Sequence, residues 1–257
     1  MLLCIDIGNT NTVMGIYDGD QLLADWRIST DHQRMPDEYG LTMMGFMGHH
    51  GIQRDDIHGI ALASVVPPLT DVMMTACERY LGREPLVIGA GVRTGIAIRY
   101  DNPREVGADR IVNVVAALRL YGGPACIVDL GTGTTFDALS AGGEYLGGAI
   151  APGIIIAAEA LFQRTAKLPR IDLQRPPKAI GTNTPDAMRS GILFGYVGLV
   201  EGMVARFRRE LGPDMRVIGT GGLAPVLARE TEIIEIVDQE LTLKGLRLLY
   251  ELNRGTS

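Results

Sequence analysis

The sequence predicts an α/β protein built from two related lobes, and three observations carry that reading. Apolar runs rich in β-branched residues alternate with helical patterns along the whole chain. Two segments about half a chain apart repeat one glycine–threonine pattern behind an apolar run. The length, 257 residues, suits one large domain or two modest ones, at roughly 150 residues per domain. The expected division is 1–120 and 121–257.

Each element follows from its local pattern. LLCIDI (2–7) reads as a buried strand. TVMGIY and LLADWRI come next, parted by Asp18-Gly19-Asp20, the mark of a hairpin. Residues 36–48 read as a helix entered at Pro36, where a missing N–H costs nothing. IHGIALASVV (57–66) is the next strand; Pro67 and Pro68 then open a helix that runs to Leu81 and stops at Gly82. A looser stretch, 83–103, precedes a helix starting near Gly107.

ACIVDL (125–130) opens the second half as a buried strand, followed by TTFDALS and EYLGGAI around Ala141-Gly142-Gly143, a second hairpin. Helices are expected over 153–165 and 184–211. In the longer one Leu193, Tyr196, Val197, Val200, Val204, Phe207 and Leu211 recur at spacings of three and four, a core-packing face. A strand (215–219), a helix (222–229), a strand (232–237) and a closing helix (240–252) complete the chain. The Pro-rich piece 168–177 reads as a loop.

Composition narrows the function classes. Hydrophobic residues at 46% and charged residues at 21% are ordinary for a soluble globular protein. A net charge of −6 without a basic stripe argues against a general nucleic-acid binder. Cys4, Cys77 and Cys126 are too few and too scattered for a disulfide framework or a zinc site, and read as small buried hydrophobes. The N-terminus lacks the basic and apolar regions of a signal peptide. The longest apolar stretch, 146–162, is interrupted by glycines, Pro152 and Glu159, so no membrane is expected and the cytoplasm is the expected location. His32, His49, His50 and His58 read as surface groups, and Trp26 as packing.

The internal repeat carries the chemistry. Cys4-Ile5-Asp6-Ile7-Gly8-Asn9-Thr10-Asn11-Thr12 resembles Ile127-Val128-Asp129-Leu130-Gly131-Thr132-Gly133-Thr134-Thr135. Counted from the aspartates, Asp6 matches Asp129, Gly8 matches Gly131 and Thr12 matches Thr135. An aspartate at a strand end is costly to bury unpaired. Glycine admits a ligand close to the backbone, and hydroxyls, amides and free N–H groups suit phosphate oxygens. The carboxylate suits the metal that accompanies those phosphates. One such loop reads equally well as an Asx-turn closing a hairpin; two matched copies favour a polyphosphate gripped from both sides.

A third glycine run, Val217-Ile218-Gly219-Thr220-Gly221-Gly222-Leu223-Ala224, fits a dinucleotide loop, with Asp238 at the right distance beyond it. Too little chain follows for a full dinucleotide fold. No Gly-Lys pair exists for a Walker A loop, and no Ser/His/Asp hydrolase motif is present.

DIGNTNT (6–12), SVVP (64–67), DNPREVGADR (101–110), DLGTGTTFD (129–137), GGAIAPG (147–153), Thr184 and TGG (220–222) occur in the order seen in type III pantothenate kinases. The chain resembles that family over essentially its whole length, and GADR after Asn-Pro is the most specific element. The resemblance implies two ribonuclease-H-like lobes of the actin and sugar-kinase type facing a nucleotide cleft. It implies phosphorylation of pantothenate to 4'-phosphopantothenate by ATP with magnesium, the first step of coenzyme A synthesis.

The same resemblance implies residue roles. Asp6, Ile7, Gly8, Asn9, Thr10, Asn11, Thr12 and Val13 would hold the ATP phosphates, with Asp6 near the magnesium, and Thr132 would also contact ATP. Asp129 would bind a monovalent cation, K⁺ or NH₄⁺. Tyr100, Gly107, Ala108, Asp109, Arg110 and Thr184 would line the pantothenate site, with Asp109 as proton acceptor and Arg110 either clamping the substrate carboxylate or pairing with an acid. A homodimer is implied, with the acceptor site near the interface. A different small-molecule kinase or acyl-phosphate enzyme of the superfamily and a regulatory binding module are the competing readings. The NPxxxGADR stretch speaks against the first, and the intact Asp6, Asp109 and Asp129 against the second.

Overall fold

The structure is a computed structural model and describes residues 1–254. In chain order its elements begin with β1 (Leu2–Ile7), β2 (Asn11–Asp18), β3 (Gln21–Ser29), α1 (Pro36–His49), β4 (Gly59–Ser64) and α2 (Pro67–Ala76). Then come β5 (Leu86–Val87), β6 (Ala97–Ile98), α3 (Ala108–Tyr121), β7 (Ala125–Leu130), β8 (Gly133–Leu139) and β9 (Glu144–Pro152). The last are α4 (Ile154–Arg164), α5 (Thr184–Leu211), β10 (Arg216–Thr220), α6 (Ala224–Leu227), β11 (Ile236–Val237) and α7 (Leu241–Asn253).

The chain forms two compact units. Of the described residues, one comprises Met1–Ile96, Asp101–Ala116 and 241–254; the other comprises Ala97–Tyr100 and Ala117–Glu240. The division therefore departs from the sequence boundary at 120/121. The closing helix α7 returns to β1 and β4. Gly245 lets it meet the Val112 carbonyl, and Gly59 leaves room for the Tyr250 ring. Both contacts join residues far apart in sequence.

The two sheets share one plan. In the first unit the order is β3-β2-β1-β4-β5, with β1 antiparallel to β2, β2 antiparallel to β3, and β4 parallel to both β1 and β5. In the second it is β11-β10-β7-β8-β9, with β6 added beyond β9. Again the first three strands are antiparallel, and the next two run parallel to β7. Each unit is thus a ribonuclease-H-like lobe, as the family resemblance leads one to expect.

Central strands are buried on both faces and so read as unbroken apolar runs. In the first unit Leu3, Ile5 and Ile7 of β1 pack with Ile60 and Leu62 of β4, under Tyr39, Met43 and Met47 of α1 and Leu69 and Met73 of α2. Each such side chain contributes about 1.5–3 kcal/mol on burial. In the second unit Cys126, Val128 and Phe136 meet Leu193, Tyr196, Val200 and Val204 of α5. Among the described residues α5 alone has the length and apolar composition to cross a membrane. Its apolar face is committed to this core. The three cysteines are free and buried, as expected.

Most element boundaries fall within a few residues of those expected. The helix expected from Pro67 to Leu81 ends as foreseen: α2 passes into a π-helical turn, Cys77–Leu81, and Gly82 stops it at φ +67°. Two elements are shorter than expected. The helix predicted over 222–229 is reduced to the four residues of α6, because Ala224 and Leu227 fill the core and the polar Arg229-Glu230-Thr231 run offers no further buried face. The strand predicted over 232–237 keeps only Ile236–Val237, since Ile234 turns into the core against Gly219.

Candidate active site

The first hairpin loop is Gly8–Asn11, between Ile7 and Thr12, which pair across β1 and β2. The Gly8 N–H donates to the Asn11 carbonyl at 3.0 Å. A Cβ on Gly8 would lie 3.1 Å from that same oxygen, so the turn needs a small residue there. Thr30, just past β3, braces the loop: its N–H donates to the Thr10 carbonyl at 2.9 Å and its hydroxyl donates to the Gly8 carbonyl at 2.7 Å. The Thr30 proton is thereby used, so Thr12, with its Oγ1 3.0 Å from that of Thr30, is the donor of that pair. Ile7 and Thr12 are buried and build the loop, whereas Asn9, Thr10 and Asn11 are exposed; Asp6, Gly8 and Val13 are half-buried. Thr30 carried no sequence signal, because its contribution depends on the register of β2 and β3.

The same unit brings the start of α3 to this hairpin. The Val65 N–H donates to the Ile7 carbonyl at 3.0 Å, extending the pairing of β1 and β4 by one bond. The Ser64 hydroxyl accepts the Val66 N–H at 3.1 Å and turns the chain there. A Cβ on Gly107 would lie 3.5 Å from the Val65 side chain and 2.5 Å from Asp109 Oδ1. Thus Val65 touches the GADR segment on one side and the end of β1 on the other. The sequence motif SVVP gains a physical role through it.

Asp109 lies in the first turn of α3, where its Oδ1 accepts the Arg110 N–H at 2.8 Å. Burial pushes its carboxyl above the ordinary value, and the Arg110 N–H and charge only partly offset this. A half-buried, partly satisfied carboxylate with a raised pKa is suited to accept a proton. Ala108 and Arg110 are buried beside it.

The second hairpin repeats the first with one residue fewer. Leu130 pairs with Thr134, and Gly131–Gly133 form the loop, with the Gly131 N–H donating to the Gly133 carbonyl at 3.1 Å. Thr12 therefore corresponds to Thr134 and not to Thr135, as counting from the aspartates had suggested. Thr12 and Thr134 are both buried opposite the last apolar residue of the preceding strand.

Asp129 is half-buried at the end of β7. Cβ atoms on Gly131 and Gly221 would lie 3.4 and 2.5 Å from its Oδ1, and Gly221 sits at φ +86°. The third glycine run thus leaves a cradle around a carboxylate oxygen, in place of the dinucleotide loop it resembles. Asp238, the acid that completed that pattern, is engaged elsewhere: it accepts the Tyr121 hydroxyl at 2.8 Å and the Glu240 N–H at 3.1 Å. Burial and this carboxylate push the Tyr121 phenol up to about 12. Thr132 is held through its carbonyl, which accepts the Gly153 N–H at 3.1 Å. A side chain on Gly153 would strike the Thr132 and Gly131 carbonyls, which accounts for the glycine that closes GGAIAPG.

Tyr100 follows β6, which pairs with β9 through Ala97 and Ile98. Its ring lies parallel to that of Tyr145, centroids 6.3 Å apart, and passes over Gly147, whose absent Cβ would be 3.4 Å from it. The Tyr145 hydroxyl donates to the buried Asp137 at 2.8 Å. Thr184 opens α5, capped by the Asn183 side chain, and lines a cavity of about 750 Å³ with Leu161, Leu168, Gly181, Met188 and Ile192. Tyr100 is not among that cavity's lining residues.

Among the described residues no three His, Cys, Asp or Glu side chains converge as a metal site. That fits a magnesium ion that takes most of its ligands from phosphates and water and one or two from the protein. The oxygen cradle at Asp129 likewise fits a hard cation.

Comparison with known proteins accords with this geometry. A family model described as type III pantothenate kinase matches residues 2–206. The type III pantothenate kinase of Moorella thermoacetica is 55% identical over 253 residues, covering 98% of this chain and 100% of that protein. Among solved structures, a Campylobacter jejuni protein assigned to the Baf family of transcriptional activators superposes with a TM-score of 0.64 at 20% identity, over 98% of both chains. A Sinorhizobium meliloti protein assigned as a 2-dehydro-3-deoxygalactonokinase gives 0.58 at 13% identity, over 99% of this chain and 100% of that one. These two structures speak for the fold. With its paired hairpins, its GADR helix start and more than half its residues shared with a full-length relative, the chain belongs to the type III pantothenate kinase family.

Proposed function

We propose that the chain transfers the γ-phosphoryl group of ATP to the primary hydroxyl of pantothenate, giving 4'-phosphopantothenate, the first step of coenzyme A synthesis. The observation that carries this reading is the join at Val65. It ties a glycine-centred loop to a half-buried carboxylate of raised pKa within one unit. Phosphoryl transfer asks the protein mainly for positioning and charge neutralisation; the loop serves the first on the phosphate side, the carboxylate serves it on the hydroxyl side, and neutralisation falls to cations.

In this reading the loop Asp6–Val13 receives the phosphates through Asn9, Thr10 and Asn11, and Thr132 contacts the nucleotide from the second hairpin. Asp109 orients the pantothenate hydroxyl and accepts its proton as the new P–O bond forms. Arg110 clamps the pantothenate carboxylate as a fork of donors, while Tyr100, Gly107, Ala108 and Thr184 line the acceptor. Magnesium at Asp6 and a monovalent cation, K⁺ or NH₄⁺, at Asp129 would neutralise phosphate charge during transfer.

Two further features belong to the proposal. Exposed apolar side chains on β9 and α4, namely Leu146, Ile150, Ile155, Ile156, Leu161 and Phe162, support assembly as a homodimer. The cytoplasm, which supplies ATP and potassium, is the proposed location. The test is ATP consumption with pantothenate and with a panel of sugars and hydroxy acids. Turnover confined to pantothenate is expected, and a preference for any other acceptor would overturn the assignment.

A further inference from the structure

The segment that follows the Thr30 brace carries an arginine that the reading above leaves unused. Asp31 Oδ1 accepts the Gln33 N–H at 2.9 Å, and the Arg34 N–H donates to the Asp31 carbonyl at 3.3 Å. This turn sends Arg34 back over α1, its guanidinium carbon 5.3 Å from the centroid of the Tyr39 ring. Tyr39 is buried. Burial raises its phenol pKa, while the Thr12 hydroxyl and the Arg34 charge beside it pull the other way. Arg34 thus stands on a ring that adjoins the closing residue of the first hairpin loop.

Its hydrogen bonding is incomplete. Nη1 is buried and has no acceptor among the described residues. Arg79 pairs with Asp37 at 2.5 Å, Arg99 with Glu144 at 2.6 Å and Arg175 with Glu230 at 2.9 Å, whereas Arg34, like Arg110, Arg189, Arg208 and Arg247, keeps one buried nitrogen without an acceptor among the described residues. The two acids nearest Arg34 in sequence are engaged elsewhere: Asp31 accepts the Gln33 N–H and Asp37 pairs with Arg79. A buried guanidinium N–H without an acceptor is costly. Stacking on an aromatic face satisfies the flat side of the group and leaves its edge free to donate. An edge of this kind, carried on a ring that adjoins Thr12 at the end of the first hairpin loop, fits a phosphate.

We propose that Arg34 is a phosphate ligand of the bound nucleotide, presented to the first hairpin loop from its stack on Tyr39. The proposal rests on the reading that this loop receives the ATP phosphates. No covalent step is assigned to Arg34.

The test compares the parent enzyme with Arg34→Ala, Arg34→Lys and Gly8→Val, reading KM for both substrates and calorimetric binding of ATP, ADP, AMP and adenosine. Arg34→Ala is expected to raise KM for ATP roughly 10–100-fold, the value of a lost charge-assisted hydrogen bond, with KM for pantothenate unchanged. The loss should shrink from ATP through AMP and vanish with adenosine. Arg34→Lys, which keeps the charge but not the fork, should recover part of it. An unchanged KM for ATP in folded Arg34→Ala overturns the proposal. So does an equal loss for adenosine and ATP, which would mean that Arg34 only supports Tyr39. If Gly8→Val also leaves ATP binding intact, the loop reading itself falls; if Gly8→Val weakens ATP and the arginine variants do not, only the role of Arg34 falls.

Discussion

Gly107 leaves the space that the Asp109 carboxylate fills: a Cβ there would lie 2.5 Å from Asp109 Oδ1. The pair defines how the candidate base is held. The carboxylate folds back over the start of α3, taking one N–H from Arg110, and burial sets its proton affinity.

Replacing Asp109 by Asn should lower turnover about 10²–10⁴-fold while ATP binding persists. The pH dependence has a definite sign. The Asp109 pKa is raised above 3.8, so kcat/KM should fall on the acid side at a pH above that value, and Asp109→Asn should lose this limb. For stability, a raised folded pKa favours the folded state below the unfolded value, and that contribution disappears as pH rises through the folded one. At neutral pH the Asn variant, which has no buried charge, should therefore melt at or above the parent temperature. A clear loss of Tm with near-normal turnover would make Asp109 a structural residue.

The hairpin loops yield a second expectation. Gly8→Val would push a side chain into the Asn11 carbonyl, and Asp6→Ala removes the carboxylate proposed for magnesium. Each should weaken ATP use without altering KM for pantothenate. Titrations matching the parent in both variants would reduce the loop to a hairpin closure.

Much of this was legible in the sequence because it is local. β1 and α5 announce themselves by an unbroken apolar run and by spacings of three and four, and both fall where expected. What depends on register was not legible. The one-residue difference between the loops moves the partner of Thr12 from Thr135 to Thr134, which no count along the chain reveals. The bracing by Thr30, the contact of Val65 with Gly107, and the return of α7 to β1 and β4 all join distant residues. β6 is two residues long, too short for any periodic signal, yet it delivers Tyr100 to β9.

That delivery gives a third expectation. The Tyr100 ring rests beside Tyr145, whose hydroxyl is fixed by Asp137, and over the bare Gly147 at φ +111°. Tyr145→Phe frees the supporting ring from Asp137 and should raise KM for pantothenate several-fold with little effect on ATP. A change confined to ATP would remove Tyr100 from the acceptor site.

Asp129 and Gly221 give a fourth. With the proposed cation at Asp129, rates should rise steeply when sodium is replaced by potassium or ammonium at constant ionic strength, which holds general screening fixed. Gly221→Ala places a methyl 2.5 Å from Asp129 Oδ1 and at a strained φ, so it should blunt this response, as should Asp129→Ala. Equal rates in sodium and potassium would leave Asp129 as a phosphate- or magnesium-orienting group.

The most direct measurement of the central claim is the mass and phosphate content of the product formed from pantothenate and ATP. The parent enzyme is expected to yield one 4'-phosphopantothenate per ADP, and Asp109→Asn to yield almost none while still binding ATP. ADP released without phosphorylated pantothenate, or product formed at parental rates by Asp109→Asn, would contradict the account.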